Sequence, residues 1–396
     1  MPGAVRDGRY NLKMLRKLAF WPDWQIAMAV AAALRVFYTA MAAAFMPFLH
    51  PDAALIHSNA LTGNLPAPHG LHYALLGIWE RFDTLWFLHI AEHGYDRPMS
   101  VIYYPLYPAA IRLVSGLIPP MAAALLVSAV AAFFFFWGLL RLAEGELSEV
   151  GRLRMLLLVC AWPTSFVLFA GYAESLTLAL VVWAIVFARA SGRGSGRVAR
   201  WEAATVCGLL AGSARPSGVL VFIPLAMMAL HSRQGRSLVV ALTPLGLLSY
   251  WSWLRWSGRI SVVEAYRLYQ GMAMVPPWRG VWEALRLIAT EHDTLLAIKL
   301  GLMIVVAVMS LWRQVHTNLR IEDRAFALAA ILQMLMYTGR PLLGAVRYML
   351  MVYPVFLVWG AYAERWNGKR LGFYVTALGF LNLAWMWAFL SWSLVL

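Results

Sequence analysis

Charge is what this sequence has least of. Asp, Glu, Lys and Arg make up 13% of its 396 residues, where a soluble domain carries about 25%. That shortage excludes an ordinary water-soluble globule. Cysteine is nearly absent too: Cys160 and Cys207, each inside an apolar run, give neither a disulfide framework nor a metal-binding set. No Asn-x-Ser/Thr sequon occurs, which favours a prokaryotic plasma membrane, with the endoplasmic reticulum as the alternative. No repeat of fixed period and no inverted halves are visible, which weighs against the common transporter folds. No nucleic-acid motif accompanies the net charge of +14. The Arg and Lys sit mostly in short loops, where cytoplasmic positive charge and anionic lipid headgroups account for them.

What is abundant is apolar sequence, 62% of the chain, in runs of about 17–25 residues that match a bilayer core. The expectation is an all-α polytopic membrane protein, a single integral domain over residues 1–396 with about eleven spans (10–12). Residues 1–20 form a basic cytoplasmic tail without a cleavable signal. Spans are expected at about 24–46, 105–118, 121–141, 155–171, 172–189, 201–213, 216–230, 238–257, 294–312, 325–339, 348–364 and 371–395. Arg35 lies within the first of them and needs a polar cavity or an acid. Residues 47–102 and 258–293 form two outside loops. Basic segments at 189–200, His231–Arg236, Arg313–Arg324 and Arg365–Arg370 read as cytoplasmic. Five apolar segments separate the tail from the loop at 189–200, and an odd number cannot leave both ends inside. The segment 105–118, bounded by Pro105, Pro108, Pro119 and Pro120, is the suspected re-entrant one.

The exception to this apolar chain is Trp79–Pro108, which sets Glu80, Arg81, Asp83, His89, Glu92, His93, Asp96 and Arg97 among bulky aromatics. Charges in such company suggest an interfacial helix at a membrane surface. On a continuous helix Glu80, Asp83 and Phe87 share one face, with Trp79 and Trp86 beside them, while Glu92 falls about 180° away. Asp83 reads either as a carboxylate in a surface salt bridge with Arg81 or Arg97, or as a general base. A carboxylate held among aromatics at the edge of an apolar medium is desolvated unless a cation compensates, and so is able to take a proton from an attacking hydroxyl.

The same stretch carries a resemblance. Asp83, Ile90-Ala91-Glu92-His93-Gly94-Tyr95 and Tyr103-Tyr104-Pro105-Leu106-Tyr107-Pro108 are followed in order by further elements: Trp162-Pro163-Thr164-Ser165, Gly171-Tyr172-Ala173-Glu174-Ser175, Ser213-Ala214-Arg215-Pro216-Ser217-Gly218 and Arg347-Tyr348 before Pro354. The ordered set, over about residues 79–354, resembles the GPI mannosyltransferase II (PIG-V-like) family, of the GT-C class of membrane glycosyltransferases. Phe82 stands where relatives more often have Trp. The resemblance implies a GT-C-like fold and a sugar donor, with mannose the family's sugar, carried on a polyprenyl phosphate. It also implies a glycolipid or glycan acceptor at the outer or lumenal face, and inversion at the anomeric carbon.

A lipid phosphate leaving group wants fixed positive charge or donors around it. Arg347 is the first choice, with Arg215 and Arg340 next, and His93 and Tyr104 as neutral helpers; the other reading of each arginine is snorkelling to the interface. Glu174, near the membrane interior, either binds acceptor hydroxyls, holds an arginine such as Arg215, or pairs helices. Glu80, Tyr172 and Trp86 complete the candidate set. Six of the nine histidines fall in the first outside loop (His50, His57, His69, His72, His89, His93), but no ligand pair with a carboxylate accompanies them. The sequence identifies no cofactor, and a divalent ion, magnesium or manganese, is left open. No obligate protein partner is evident. A transporter or flippase of lipid-linked sugar is the second reading, since it would share the cavity and the arginines without needing a base.

Overall fold

The computed structural model describes residues 21–50, 56, 61, 69–191, 200–232, 234–311 and 319–393. The tail 1–20, His57, the middle of the first outside loop, most of the basic loop at 189–200 and the start of Arg313–Arg324 lie outside them. Within the described residues the chain is helical, apart from one ribbon of two short strands.

Six helices are long and apolar enough to cross a membrane: Asp23–Phe48, Pro120–Ala143, Glu174–Ser191, Gly235–Trp256, Thr294–Leu311 and Gly368–Leu390. The protein is therefore membrane-embedded. A seventh span arises if the pair Ala345–Met351 and Tyr353–Ala363, bent by 75°, counts as one. About eleven spans were expected; among the described residues several of the other expected runs are shorter helices or are broken by proline and irregular turns. The segment at 105–118 is a ten-residue helix, Leu106–Ser115, roughly 15 Å long at 1.5 Å per residue and too short to cross. The run at 155–171 is interrupted after Ala161: helix Glu149–Ala161 ends before Pro163, and a 3-10 turn, Ser165–Phe169, follows. The run at 325–339 stops as a helix at Met334 and gives way to the strand Tyr337–Thr338.

Helices Pro120–Ala143, Glu174–Ser191 and Arg200–Ala214 pack in succession and form the core, with Asp23–Phe45 against the first of them. Their alanines and glycines let backbones approach closely, as helices without a hydrophobic drive between them require. A Cβ on Gly218 would come within 2.0 Å of Ala211 O, and one on Gly246 within 1.8 Å of Leu209 O. Thr294–Leu311 packs Leu296, Leu300, Met303 and Val306 into the same core and presents Leu295, Ile298, Ile304, Val305 and Val308 outward, the pattern of a face meant for lipid. Buried polar groups tie distant helices: Asn382 donates to Trp162 O at 2.6 Å and to Ser165 Oγ at 2.9 Å. The expected partner for Arg35 is not an acid. Its guanidinium donates to Phe169 O at 2.7 Å and lies over the Trp79 ring.

The helix of the first outside loop, Asp83–His93, is packed into the protein along most of its length. Thr84, Leu85, Trp86, Phe87, Ile90 and Ala91 are all buried, and it packs against Leu106–Ser115 and Pro120–Ala143. The second outside loop reaches the same region through the ribbon, where Ala273–Met274 pairs antiparallel with Tyr337–Thr338.

Candidate active site

The chain reaches Asp83 through a break. A short helix, Gly70–Leu75, runs into the 3-10 turn Gly77–Trp79, and a new helix starts at Asp83. Between them Phe82 has φ +46° and ψ −116°, a conformation that costs a residue with a side chain on the order of 1–3 kcal/mol. Thr84 N–H bonds to Arg81 O at 3.0 Å and Leu85 N–H to Phe82 O at 3.1 Å, closing the turn. Asp83 thus becomes the first helical residue, where the helix dipole favours a negative charge.

This break overturns the expected placement of Glu80. Periodicity puts Glu80 beside Asp83 only if one helix runs through both. Instead Glu80 lines a separate cavity of about 410 Å³ with His72, His89, Glu92, His93 and Arg97. Burial pushes its carboxyl up to about 7. His93 is likewise misplaced as a phosphate helper: it is exposed at the far end of the helix, 3.9 Å from Glu92. The two cavities lie on opposite faces of the Asp83–His93 helix, as the angular offset of Glu92 requires.

The principal cavity, of about 510 Å³, is lined by Asp83, Trp86, Tyr104, Arg215, Arg340 and Arg347, all six singled out by sequence. Asp83 Oδ2 accepts from Arg347 Nη1 at 2.8 Å, and Oδ1 accepts from Tyr103 OH at 3.3 Å. Burial and the adjacent Asp83 carboxylate push the Tyr103 hydroxyl well above its ordinary range, which keeps it a donor. Trp86 stacks on the Tyr103 ring at 5.6 Å, fixing that hydroxyl. Arg347 is the cation that compensates Asp83; neither Arg81 nor Arg97 fills that place.

Behind Arg347 stands Glu174, fully buried. Its Oε1 lies 3.0 Å from Arg347 Nε and 2.5 Å from Arg215 Nη1. Two carboxylates and two guanidiniums therefore form one neutral quartet. Tyr348 and Tyr172 sandwich it: the Arg347 guanidinium is 4.9 Å from the Tyr348 ring and 5.1 Å from the Tyr172 ring, and Arg215 is 4.9 Å from Tyr348. Tyr172 and Glu174 support the cavity from behind and are not part of its lining. Gly171 explains how their segment comes so close. A Cβ there would meet Thr84 Cγ2 at 2.5 Å, so the backbone before Glu174 rests directly on the first turn of the Asp83 helix.

Arg347 sits in the four-residue helix Ala345–Tyr348, entered through Gly344 at φ +70°. Leu342, just upstream, has φ +56° and lines the same cavity. Phe82 and Leu342 put two left-handed side-chain-bearing residues on one cavity wall, the kind of strain that clusters where geometry is over-determined. Arg340, exposed at the same wall, stands outside the quartet's ion pairs. Tyr104 accepts from Trp251 Nε1 at 2.8 Å and keeps its own hydroxyl proton to donate. The remaining lining divides into polar groups (Tyr266, Tyr269, Gln270, Gln333, Tyr337) and apolar ones (Leu220, Phe326, Ala330, Met334). Sequence reasoning missed the two glutamines, and nothing in their surroundings marks them. It quoted Tyr103 and Tyr348 within motifs without giving them a role. Among the described residues no group of three or more His, Cys, Asp or Glu is arranged to hold a metal ion.

No protein-family model matches this chain, and no curated protein matches it either.

Proposed function

We propose that this protein is an inverting glycosyltransferase of the GT-C type, similar to the PIG-V-like mannosyltransferases, which moves a sugar from a polyprenyl-phosphate donor to a hydroxyl of a glycolipid or glycan. The observation that carries the reading is the Asp83–Arg347 pair at the wall of a cavity that also holds Arg215, Arg340 and Tyr104. A base and a phosphate-binding cation thus share one chamber, which otherwise offers apolar surface to a lipid and hydroxyl and amide groups to a sugar.

In this reading the acceptor oxygen attacks the anomeric carbon and its proton passes to Asp83. The bond from that carbon to the phosphate oxygen breaks on the opposite side. The electron pair leaves with the polyprenyl phosphate, whose charge the arginines stabilise. Displacement from the opposite face inverts the centre. The resting ion pair has a role in this scheme. While Arg347 holds Asp83, the carboxylate is a poor base. A donor phosphate competing for Arg347 loosens that hold, so the base is released only when there is a donor to use it on. Since the quartet is neutral, the net attraction for the phosphate falls to Arg340, ahead of Arg347.

The test is transfer of radiolabelled mannose from synthetic polyprenyl-phosphate-mannose to membrane glycolipids by purified protein, with and without EDTA. Labelled product that vanishes in Asp83→Asn supports the reading, and the EDTA arm decides whether a divalent ion takes part. Saturable donor binding without transfer, unchanged in Asp83→Asn, would overturn it in favour of the flippase reading.

A further inference from the structure

The strained turn before Asp83 is gripped by a distant part of the chain. Arg81 is 2% exposed, and each of its bonds goes to a neutral oxygen. Nε donates to Leu390 O at 3.1 Å, Nη1 to Glu80 O at 3.0 Å and Nη2 to Tyr73 OH at 2.6 Å. Trp392, in the turn after helix Gly368–Leu390, closes over the same dipeptide. Its ring lies 5.2 Å from the Arg81 guanidinium and 4.8 Å from the Phe82 ring centre, and Phe389 adds a contact to Phe82 at 5.7 Å. Trp392 is itself buried and has φ +62°.

Phe82 and Trp392 are two of the four non-glycine residues with positive φ among the described residues, and they pack against each other. A phenylalanine at this φ and ψ relaxes to a commoner conformation unless its surroundings forbid it. Because Asp83 is the next residue, such relaxation would swing its carboxylate away from Arg347 and Tyr103. We propose that the Leu390–Trp392 turn is a positioning brace for Asp83: by packing on Arg81 and Phe82, Trp392 holds the left-handed turn that aims the carboxylate into the cavity. The brace touches no substrate. Its effect on turnover rests on Asp83 acting as the base, whereas its effect on the turn does not.

The experiment combines Trp392→Ala, Trp392→Phe and Phe82→Gly, alone and paired, in lipid nanodiscs. Glycine takes the φ of residue 82 without strain, so in Phe82→Gly there is no strained side chain left for the brace to hold. Trp392→Ala is expected to speed amide exchange over residues 79–88 by about tenfold or more, leaving Pro120–Ala143 unchanged. It is expected to lower kcat by roughly 10- to 100-fold with KM within about twofold, the signature of a misaimed group. Trp392→Phe keeps a ring in place and restores both. In the Phe82→Gly background Trp392→Ala has at most about a third of these effects, because the two changes act through one turn. Unchanged exchange over 79–88, a rise throughout the chain, or equal losses in both backgrounds would each overturn the brace. A wild-type protein that transfers no sugar would remove the proposed activity, and the exchange measurement would still decide the brace.

Discussion

Among the described residues, two buried arginine–carboxylate networks differ in what surrounds them. In one, Arg189 pairs with Asp323 at 2.5 Å, and Tyr353 donates to the other oxygen of Asp323. No member of that network lines either cavity. In the other, Arg347, Arg215, Asp83 and Glu174 form the quartet, and three of the four face the principal chamber. Glu174, the fourth, has no such access. Burial of charge is therefore not what distinguishes the candidate site. The Arg189 network joins helices Glu174–Ser191 and Ile321–Met334 with its charges shut away, while the quartet is the same chemistry with one side left open. Asp83, at 26% exposed against 2% for Asp323, is where that opening falls.

The sharpest way to break the comparison is to neutralise one acid in each network. Asp83→Asn is expected to reduce sugar transfer by about 10³-fold or more, with helical content and donor binding retained. Asp323→Asn is expected to leave the chemistry in place and to destabilise the fold by about 3–5 kcal/mol, the usual cost of leaving a buried partner charge alone; thermal unfolding in detergent reads it. The reverse assignment of losses would erase the distinction.

Next in size is Gly171→Ala. Its new methyl group pushes Thr84, and with it the first turn carrying Asp83, and transfer is expected to fall by roughly tenfold to a hundredfold. Thr84→Ser, which can place its smaller side chain without that methyl, should recover most of the loss; no recovery would mean the damage lies elsewhere. Arg340→Gln comes third. Being exposed and outside the quartet, it should raise the donor KM by about tenfold, the worth of one charge-assisted hydrogen bond, and leave the melting temperature unchanged. A change in kcat alone would show that Arg340 does not hold the ground-state phosphate.

The smallest effect concerns the other face of the Asp83–His93 helix. Glu80 is raised to about 7 by burial, so the folded state binds its proton more tightly than the unfolded chain does. Stability is then highest below the ordinary carboxylate range, declines as pH rises toward 7, and levels off above it. Glu80→Gln should flatten that decline in a melting-temperature series. The wild-type slope persisting in the variant would assign it to another group.

Much of the chamber was legible because charge is so sparse. In an apolar chain Asp83, Arg215, Arg340 and Arg347 stand out one by one, and they line the same cavity. Reading geometry from periodicity failed at Glu80 for a local reason: one left-handed residue, Phe82, ends the regularity on which the projection depends. His93 failed differently, since a helix of eleven residues carries its two ends to different places. Hydropathy registers apolar length, not continuity, so several of the expected spans are shorter or broken helices among the described residues. Leu106–Ser115 and the bent Ala345–Ala363 pair are apolar runs that proline and short turns divide. The grip on Arg81 was beyond reach of any local pattern, for its acceptor, Leu390 O, lies 309 positions along the chain.

The two-stranded ribbon carries a consequence for timing. Ala273–Met274 against Tyr337–Thr338, extended by Val275 N–H to Met336 O at 2.8 Å and by the Tyr266–Tyr337 ring contact, joins this part of the second outside loop to the wall bearing Tyr337 and Arg340. Gly339 lets the two segments come to backbone contact, since a Cβ there would sit 2.1 Å from Gly271 O. A ribbon this short has little stability of its own, so its strands are expected to open more readily than the long helices. Its opening rate, measurable as amide exchange at Met274 and Thr338, is the clock against which the passage of any bulky occupant is to be compared.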